Sequence, residues 1–286
     1  MALRHERSGG IERVVDIGAS YLTVSEPGFA TVVDDWRRRG LAREWTDTFV
    51  VRPAARGAGG AGGAGDAGGA GGAGRSVSGP MRWAAAGGLR SLVVDLAAGL
   101  DVGCAHEVDQ VDADRSGLAV DGQAASAVVL AMPQPQAADL LPPVLIDRLG
   151  LEPALDWSAA LTVWAGWQHR WWPGLDAAFV EGSDVVERII DDGRRRGDEA
   201  PVLVAHSTPE LARLLQPPGA RMPEPEFARV HRWSLAAPAA PQPRPFALDD
   251  RVAVGVCGDG WGPRPRVEQA WLSGDALGRA LARRLA

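Results

Sequence analysis

Apolar residues recur at helical spacing in three segments of the chain. Residues three and four positions apart share one face of an α-helix, so each segment predicts an amphipathic helix. The apolar positions are Phe29, Val32, Val33 and Trp36 in the first segment, Leu89, Leu92, Val93 and Leu96 in the second, and Val267, Ala270, Trp271, Gly274, Leu277 and Leu281 in the third. Ser25 is the candidate N-cap of the first helix, and Gly40 and Gly99 follow the first two helices, where a glycine commonly ends a helix.

Short continuous apolar runs predict buried strands. Residues 127–131 (AVVLA) and 252–257 (VAVGVC) have the composition of strands covered on both faces. A further run, 100–104, follows the second helix. Since Cys104 and Cys257 lie in these runs, both are expected to be core residues.

Other runs predict exposed or antiparallel strands. A hairpin is predicted from 108–113 and 118–120, which flank a turn of Asp, Arg, Ser and Gly. Between 142 and 250 proline is dense, and the predicted strands are 160–166, 178–181, 202–206 and 230–235. The triple arginine 194–196 lies among acidic residues and predicts a solvated turn. The pattern as a whole predicts an α/β region at both ends of the chain and an α+β region in the middle.

Residues 57–74 are a low-complexity segment with eleven glycines, six alanines and one aspartate. The three-residue period has no proline to support a collagen helix, so we expect a flexible insert.

Composition excludes several classes of protein. The 286 residues are 46% hydrophobic, which is enough for a sizeable core, and the formal net charge of −6 argues against a nucleic-acid-binding surface. The basic residues are all arginine and asparagine is absent, as expected of a GC-rich genome. Two distant cysteines and no apolar run of membrane-spanning length predict a cytoplasmic protein with no membrane partner. The spacing of the five histidines predicts no metal site.

The segment 252–281 is the most informative for chemistry. A buried strand leads into Gly258 and Asp259, and a helix begins near Val267 after a loop rich in glycine and proline. A helix N-terminus offers free N–H groups and partial positive charge, and Asp259 can accept a hydrogen bond from a polyol. By pattern alone, a strand–turn–helix with a capping Asp is the structural alternative.

This segment resembles the carboxyl-terminal flavin-binding motif of the renalase-like, amine-oxidase-related FAD-dependent oxidoreductases. The matching residues are Arg266, Val267, Glu268, Ala270, Trp271, Ser273 and Gly274, after the Gly258-Asp259 pair. Residues 16–23 (DIGASYLT) are similar to the family's Asp-His-Gly-Ala-Gln-Tyr-Phe-Thr, with Ser20 in place of Gln. Residues 81–98, 107–108, 128–135 and 231–233 also match family segments, so the resemblance extends over most of the chain outside the glycine insert.

One segment of the family has no counterpart in this sequence. The family opens with a strand, a GxGxxG turn and a helix that hold the diphosphate, and no such unit precedes residue 16 here. We therefore expect a glutathione-reductase-like fold truncated at its N-terminus, by a start assigned too late or by decay, and weak or absent FAD binding by the chain as written.

The resemblance implies two interleaved domains. The incomplete FAD-binding domain would comprise 1–24, 81–140 and 246–286, and the mixed-sheet substrate domain 25–80 and 141–245. The implied activity is hydride transfer from an amine or a reduced nicotinamide-type small molecule to the flavin, with no acid or base assigned. The implied flavin contacts are Gly18, Ala19, Ser20, Val108, Gly258, Asp259, Arg266, Val267 and Glu268, and the implied substrate contacts are His231 and Trp233.

The residues leave two questions of interpretation open. One is a non-catalytic remnant or protein-interaction module without flavin. The other concerns the tryptophans between 157 and 172, which serve either as core and rim of a small domain or as a platform for a flat or cationic substrate.

Overall fold

The computed structural model describes residues 2–8, 11–54, 74–114, 117–152, 154–172, 174–208, 224–240 and 242–286. The helices are α1 (Pro27–Arg38), α2 (Leu89–Leu96), α3 (Gln134–Leu140), α4 (Pro143–Leu149), α5 (Asp192–Arg196) and α6 (Val267–Leu285). The first eight strands are β1 (Leu3–Ser8), β2 (Ile11–Asp16), β3 (Ala42–Pro53), β4 (Arg75–Ala85), β5 (Val111–Asp114), β6 (Gly117–Val120), β7 (Gln123–Ala124) and β8 (Val128–Ala131). The others are β9 (Trp157–Gly166), β10 (Ala177–Glu181), β11 (Val186–Asp191), β12 (Val202–Ser207), β13 (Phe227–Pro238), β14 (Ala247–Asp249) and β15 (Val254–Cys257).

The chain divides into two compact units. Unit 1 consists of Met1–Val24, Val33–Leu96 and Ala159–Trp233, and unit 2 of Ser25–Val32, Ala97–Ser158 and Ser234–Ala286. Each unit is therefore assembled from three segments, which alternate along the chain with the segments of the other unit.

Unit 1 is built on a seven-stranded sheet with the order β13-β9-β12-β11-β10-β3-β4. Strands β10 and β3 pair in parallel, whereas β10–β11, β11–β12, β12–β9 and β3–β4 are antiparallel. The protein is therefore a mixed α and β fold with a large mixed sheet, as predicted. Thr162, His206, Arg188 and Phe179 are opposed in successive strands. Directly opposed residues share a face, so these four side chains lie in one row.

Unit 2 contains a small sheet of order β14-β15-β8, in which β15 and β8 are parallel. Helix α6 packs against β15 at Gly255, where a Cβ atom would lie 2.6 Å from Leu277 Cδ1. Glycine is required there because the helix approaches the strand backbone closely. A second sheet, β5-β6-β7, packs with α3 and α4 around Val111, Leu118, Leu145 and Trp261.

Several predicted elements are confirmed. The helices at 27–39 and 267–281 appear as α1 and α6, and Gly40 has φ +74° after the end of α1. The predicted strands of the middle region appear as β9, β10, β12 and β13, and the predicted hairpin as β5 and β6. Trp164, Trp167 and Trp172 are buried, so the core interpretation holds for these three.

Burial differs from the prediction in the second helix and after it. Helix α2 buries Leu89 and Leu92, but Val93 and Leu96 are 43% and 49% exposed. Residues 100–104 form no strand, and Cys104 is exposed, whereas Cys257 is buried as predicted. The reason is that no described strand pairs with 100–104, and an apolar run without a ladder partner has no sheet to enter.

Three further predictions are wrong. Strand β8 is covered on one face only, because Val128 and Leu130 pack into a core cluster whereas Val129, on the opposite face, is 47% exposed. The arginines 195 and 196 are buried in α5 rather than solvated, since carboxylates and carbonyls surround them. Ser25 does not cap α1, because its hydroxyl donates to Glu268 instead. Of the predicted glycine insert 57–74, only Gly74 lies within the described residues.

Candidate functional site

In unit 2 the turn after β15 is fixed by backbone geometry. Gly258 has φ +148°, a conformation that glycine alone adopts readily, and it redirects the chain at the end of the buried strand. Its N–H donates to Ser273 Oγ at 3.1 Å, and that hydroxyl donates to the carbonyl of Pro245 at 2.6 Å. The Gly258-Asp259 turn is thus tied to α6.

Asp259 is the next residue in this turn. Its side chain is half-buried, and burial raises the pKa of its carboxyl, while hydrogen bonds from its own N–H and that of Gly260 oppose the rise. A half-buried carboxylate with only local backbone donors retains acceptor capacity for a hydroxyl group.

The first turn of α6 begins without a side-chain cap. Arg266 is the N-cap residue in an extended conformation, and its side chain makes no capping hydrogen bond. It donates instead to Ser25 Oγ at 2.8 Å and pairs with Glu268 at 2.9 Å. The first N–H groups of the helix, at Val267 and beyond, therefore receive no acceptor from the N-cap side chain.

Glu268 has no exposed surface and its carboxylate is fully used. It accepts from the N–H of Ser25 at 2.7 Å, from the Ser25 hydroxyl at 2.6 Å and from the N–H of Glu26 at 2.8 Å. Burial would raise the pKa of Glu268, but the hydrogen bonds from Ser25 and Glu26 outweigh it and hold the pKa below its usual value. The carboxylate thus stabilises the start of α1. Because its oxygens are already used, only the backbone of Glu268 is available to contact a ligand.

Val108 is half-buried in an irregular segment before β5. The next two N–H groups, of Asp109 and Gln110, both donate to Asp121 Oδ1 at 3.0 Å. Asp121 itself has φ +47° in the turn after β6. The backbone at Val108 is therefore held in place by a carboxylate from the next turn, although no regular element contains it.

In unit 1, Gly18, Ala19 and Ser20 lie in the segment that follows β2. Arg195, which has no exposed surface, donates to the carbonyls of Ser20 at 2.6 Å and Asp16 at 3.0 Å. The N–H of Gly18 donates to the carbonyl of Ala2 at 3.3 Å. These bonds fix the backbone on both sides of the Gly-Ala-Ser segment.

The charge of Arg195 is balanced by carboxylates in unit 1. It pairs with Asp192, and Asp16 lies 4.0 Å away. Asp16 accepts the N–H of Leu89 with both oxygens, at 3.1 and 3.0 Å, and so caps α2. Burial raises the pKa of Asp16, and the charge of Arg195 works in the opposite direction.

Two predicted residues of unit 1 are joined through two residues that sequence analysis missed. Ser20 Oγ lies 3.2 Å from His206 Nε2, and His206 Nδ1 lies 3.2 Å from Thr162 Oγ1. Trp233 donates its Nε1–H to Thr162 Oγ1 at 2.9 Å. Thr162 and His206 carry no sequence signal beyond strand alternation, because their pairing arises from opposed strands β9 and β12.

His206 is buried and neutral. Burial and the charges of Arg188 and Arg195 lower its pKa to about 3. A neutral imidazole has one donor and one acceptor nitrogen. His206 therefore donates to one of the two hydroxyls, of Ser20 and Thr162, and accepts from the other. His231 packs edge-to-face on Trp233, with ring centroids 4.2 Å apart.

The structure groups the predicted residues by unit. Gly258, Asp259, Arg266, Val267 and Glu268 belong to one strand–loop–helix segment of unit 2, which also contains Val108. Gly18, Ala19, Ser20, His231 and Trp233 belong to unit 1. Within the described ranges, no group of three or more His, Cys, Asp or Glu side chains is arranged to hold a metal ion. None of the helices in those ranges is long and apolar enough to cross a membrane.

No protein-family model matches the chain. Among solved structures, a putative protoporphyrinogen oxidase from Exiguobacterium sp. 255-15 aligns with 71% of this chain and 53% of its own, at 15% identity and a TM-score of 0.49. An oxidoreductase from Methanosarcina mazei aligns with 70% of this chain and 56% of its own, at 15% identity and a TM-score of 0.48. A triple mutant of putrescine oxidase aligns with 71% of this chain and 54% of its own, at 16% identity and a TM-score of 0.49.

The chain spans about half the length of these solved structures. By their descriptions, they are oxidases and an oxidoreductase.

Proposed function

We propose that the chain is a flavin-binding oxidoreductase of the glutathione-reductase-like fold, acting on an amine or on a reduced nicotinamide-type ring. The observation that carries the proposal is the position of Gly258 and Asp259. They lie between the buried parallel strand β15 and the first turn of α6, which has no side-chain cap. FAD, when bound, would supply the hydride-accepting ring.

The residues of unit 2 fit part of this cofactor. The half-buried carboxyl of Asp259 suits a ribityl hydroxyl, and the N–H groups at the start of α6 suit the carbonyl edge of the pyrimidine ring. Among the described residues of unit 2, the strand, glycine turn and helix formed by β15, Gly258 and α6 are assigned here to the ribityl chain and the ring, and no second segment of that kind is left for a diphosphate. We therefore propose that FAD binds only weakly to the chain as written, and that FMN or riboflavin binds no worse.

Within unit 1, we propose His231 and Trp233 as contacts of a small-molecule substrate. The Ser20–His206–Thr162–Trp233 hydrogen-bond chain fixes the orientation of the Trp233 ring, which packs edge-to-face against His231. Since His206 stays neutral at physiological pH, it holds these side chains without adding charge. We assign no general acid or base, and we propose a small-molecule substrate in a cytoplasmic protein.

A flavin titration tests the proposal. The purified chain is expected to be colourless, and quenching of flavin fluorescence at high protein concentration should report weak binding of FAD, FMN and riboflavin. Asp259→Ala should weaken that binding, because it removes the acceptor for the ribityl chain. Asp250→Ala, an exposed aspartate, is the matched control and should leave binding unchanged.

The outcomes separate the alternatives. Equal flavin binding by the wild type and by Asp259→Ala would refute the assigned site. A complete lack of binding for all three flavins would favour the non-catalytic remnant or interaction module. A yellow preparation with stoichiometric FAD would refute the weak binding proposed here.

A further inference from the structure

A cavity at the start of strand β15 in unit 2 carries two arginines. Its volume is about 350 Å³, and all the residues that line it belong to unit 2. The charged residues of the lining are Arg251, in the turn between β14 and β15, and Arg284, in the last turn of α6. A volume of this size accommodates a small organic molecule. The cavity therefore combines space with positive charge.

In the part of the chain that the structure describes, neither of these guanidinium groups pairs with a carboxylate. The nearby carboxylate of Asp249 is paired with Arg148 at 2.5 Å, and it also accepts the N–H of Arg251 at 2.9 Å. Arg284 donates through Nε to the carbonyl of Asp250 at 2.9 Å, which leaves its other N–H groups available. Two like charges at one cavity repel each other, and an anion held by both removes that repulsion.

The turn that carries Arg251 is held in one conformation. Ala253 is buried and has φ +58°, which is uncommon for a residue with a Cβ atom. Its carbonyl accepts the N–H of Val128 at 3.0 Å, and the pairing of Asp249 with Val254 closes the turn. The backbone of Arg251 therefore keeps its position without a ligand. Such preorganisation lowers the free-energy cost of binding.

The lining of the cavity defines a ligand class. Two guanidinium groups match the two negative charges of a phosphate monoester, and each presents paired N–H groups to the phosphate oxygens. Leu118, Val252 and Leu285 add apolar surface, and Ser126 adds a hydroxyl group. The apolar surface favours an organic phosphate over inorganic phosphate, because only the organic part removes that surface from water.

We propose that this cavity binds a small organic phosphate monoester. Arg251 and Arg284 hold the phosphate group, and the apolar side chains contact the organic part. The site is separate from the proposed flavin site, because Ala253 precedes β15 whereas Gly258 follows it. A failure of flavin binding would leave this proposal unaffected, since its test uses no flavin.

The test follows binding of phenyl phosphate to the full chain by phosphorus NMR and by the shift in Tm. Phenyl phosphate should bind and raise Tm, because a ligand of the folded state stabilises it. Inorganic phosphate should bind more weakly, and phenol, which has the ring without the charge, should not raise Tm. Added sodium chloride should weaken the binding of phenyl phosphate, since ion pairs open to solvent are screened by salt.

Arg251→Gln and Arg284→Gln should each weaken the binding of phenyl phosphate about fivefold, the effect of losing one solvent-exposed ion pair. Both arginines are exposed, so both variants are expected to fold. Arg283→Gln is the matched control, because it removes the neighbouring exposed arginine of α6, which does not line the cavity. The control should bind phenyl phosphate as the wild type does.

Ser126→Phe tests the space without changing the charge. Ser126 is exposed and lines the cavity, so a larger side chain there should exclude the organic part. Binding of phenyl phosphate should then fall to the level of inorganic phosphate. Absence of phenyl phosphate binding, undiminished binding by both arginine variants, or an equal loss in Arg283→Gln would overturn the proposal. Inorganic phosphate bound by the wild type as tightly as phenyl phosphate would overturn the assignment of an organic ligand.

Discussion

At the scale of single residues, the buried charged side chains of this protein form hydrogen bonds with backbone groups as well as with one another. Glu268 caps the start of α1, Asp16 caps α2, and Arg195 holds the carbonyls before and within the Gly18–Ser20 segment. Each of these groups is charged, and each replaces water with hydrogen bonds from the protein. Their removal is therefore expected to cost stability before it affects any ligand.

His206 provides the clearest residue-scale prediction. Its pKa in the folded protein is about 3, from an ordinary value of 6.5. Because the unfolded chain takes up the proton first, stability is fully present above pH 6.5 and is lost as the pH falls toward the folded-state pKa. Between pH 7.5 and 5 this loss is about 2 kcal/mol, because the slope reaches about 1.4 kcal/mol for each pH unit only below the unfolded-state pKa.

Urea denaturation from pH 7.5 to 5 measures this effect. The wild type should lose more stability than His206→Gln over that range, since the variant has no imidazole to protonate. Parallel stability curves for the wild type and His206→Gln would contradict the assigned neutral state.

At the scale of elements, glycines set how closely helices approach their neighbours. Gly88 precedes α2 with φ +80°, and a Cβ atom there would lie 2.6 Å from Leu3 Cδ1 and 2.9 Å from Asp16 Oδ1. A side chain at this position would displace the carboxylate that caps α2. Glycine at position 88, just before α2, therefore has two physical reasons, the backbone conformation and the space taken by the Asp16 cap.

Gly88→Ala should destabilise the protein by about 2–4 kcal/mol, through backbone strain and loss of the Asp16 cap together. Gly99→Ala isolates the strain alone, because Gly99 has φ +85° and nothing within 4 Å of the added Cβ. That variant should cost about 1 kcal/mol. Equal losses of Tm for the two variants would show that the close approach at Gly88 contributes nothing.

At the scale of the whole molecule, apolar residues remain exposed at the edge of the small sheet of unit 2. Strand β8 has a partner on one side only among the described residues, and its Val129 is 47% exposed. Leu100 and Val102, in the same unit, are 69% and 57% exposed. An open strand edge with apolar side chains is a template for association with another chain.

Val129→Glu should therefore reduce association, because a charge on an edge strand opposes pairing with a second chain. Light scattering during slow heating, at several protein concentrations, would measure the change. Val144→Glu is the control, since Val144 is 53% exposed on helix α4 and lies on no strand edge. If both variants aggregate alike, exposed apolar area rather than the open edge determines association.

The sequence by itself determined the elements whose signal is local. Helical spacing located α1 and α6, continuous apolar runs located β8 and β15, and other runs located β9, β10, β12 and β13 of the mixed sheet. These predictions succeed because hydrophobic periodicity records which face of an element is buried. The long strands β3 and β4 were missed, since their alternation is broken by charged, small and irregularly paired residues.

Only the tertiary structure decided which polar residues meet. Ser20 and His206 are 186 residues apart, and Arg195 and Ser20 are 175 apart, yet both pairs share a hydrogen bond. The same holds for the burial of the arginines in α5 and for the cavity that Arg251 and Arg284 both line. Such contacts depend on strand order and register, which bring together residues that no local pattern relates.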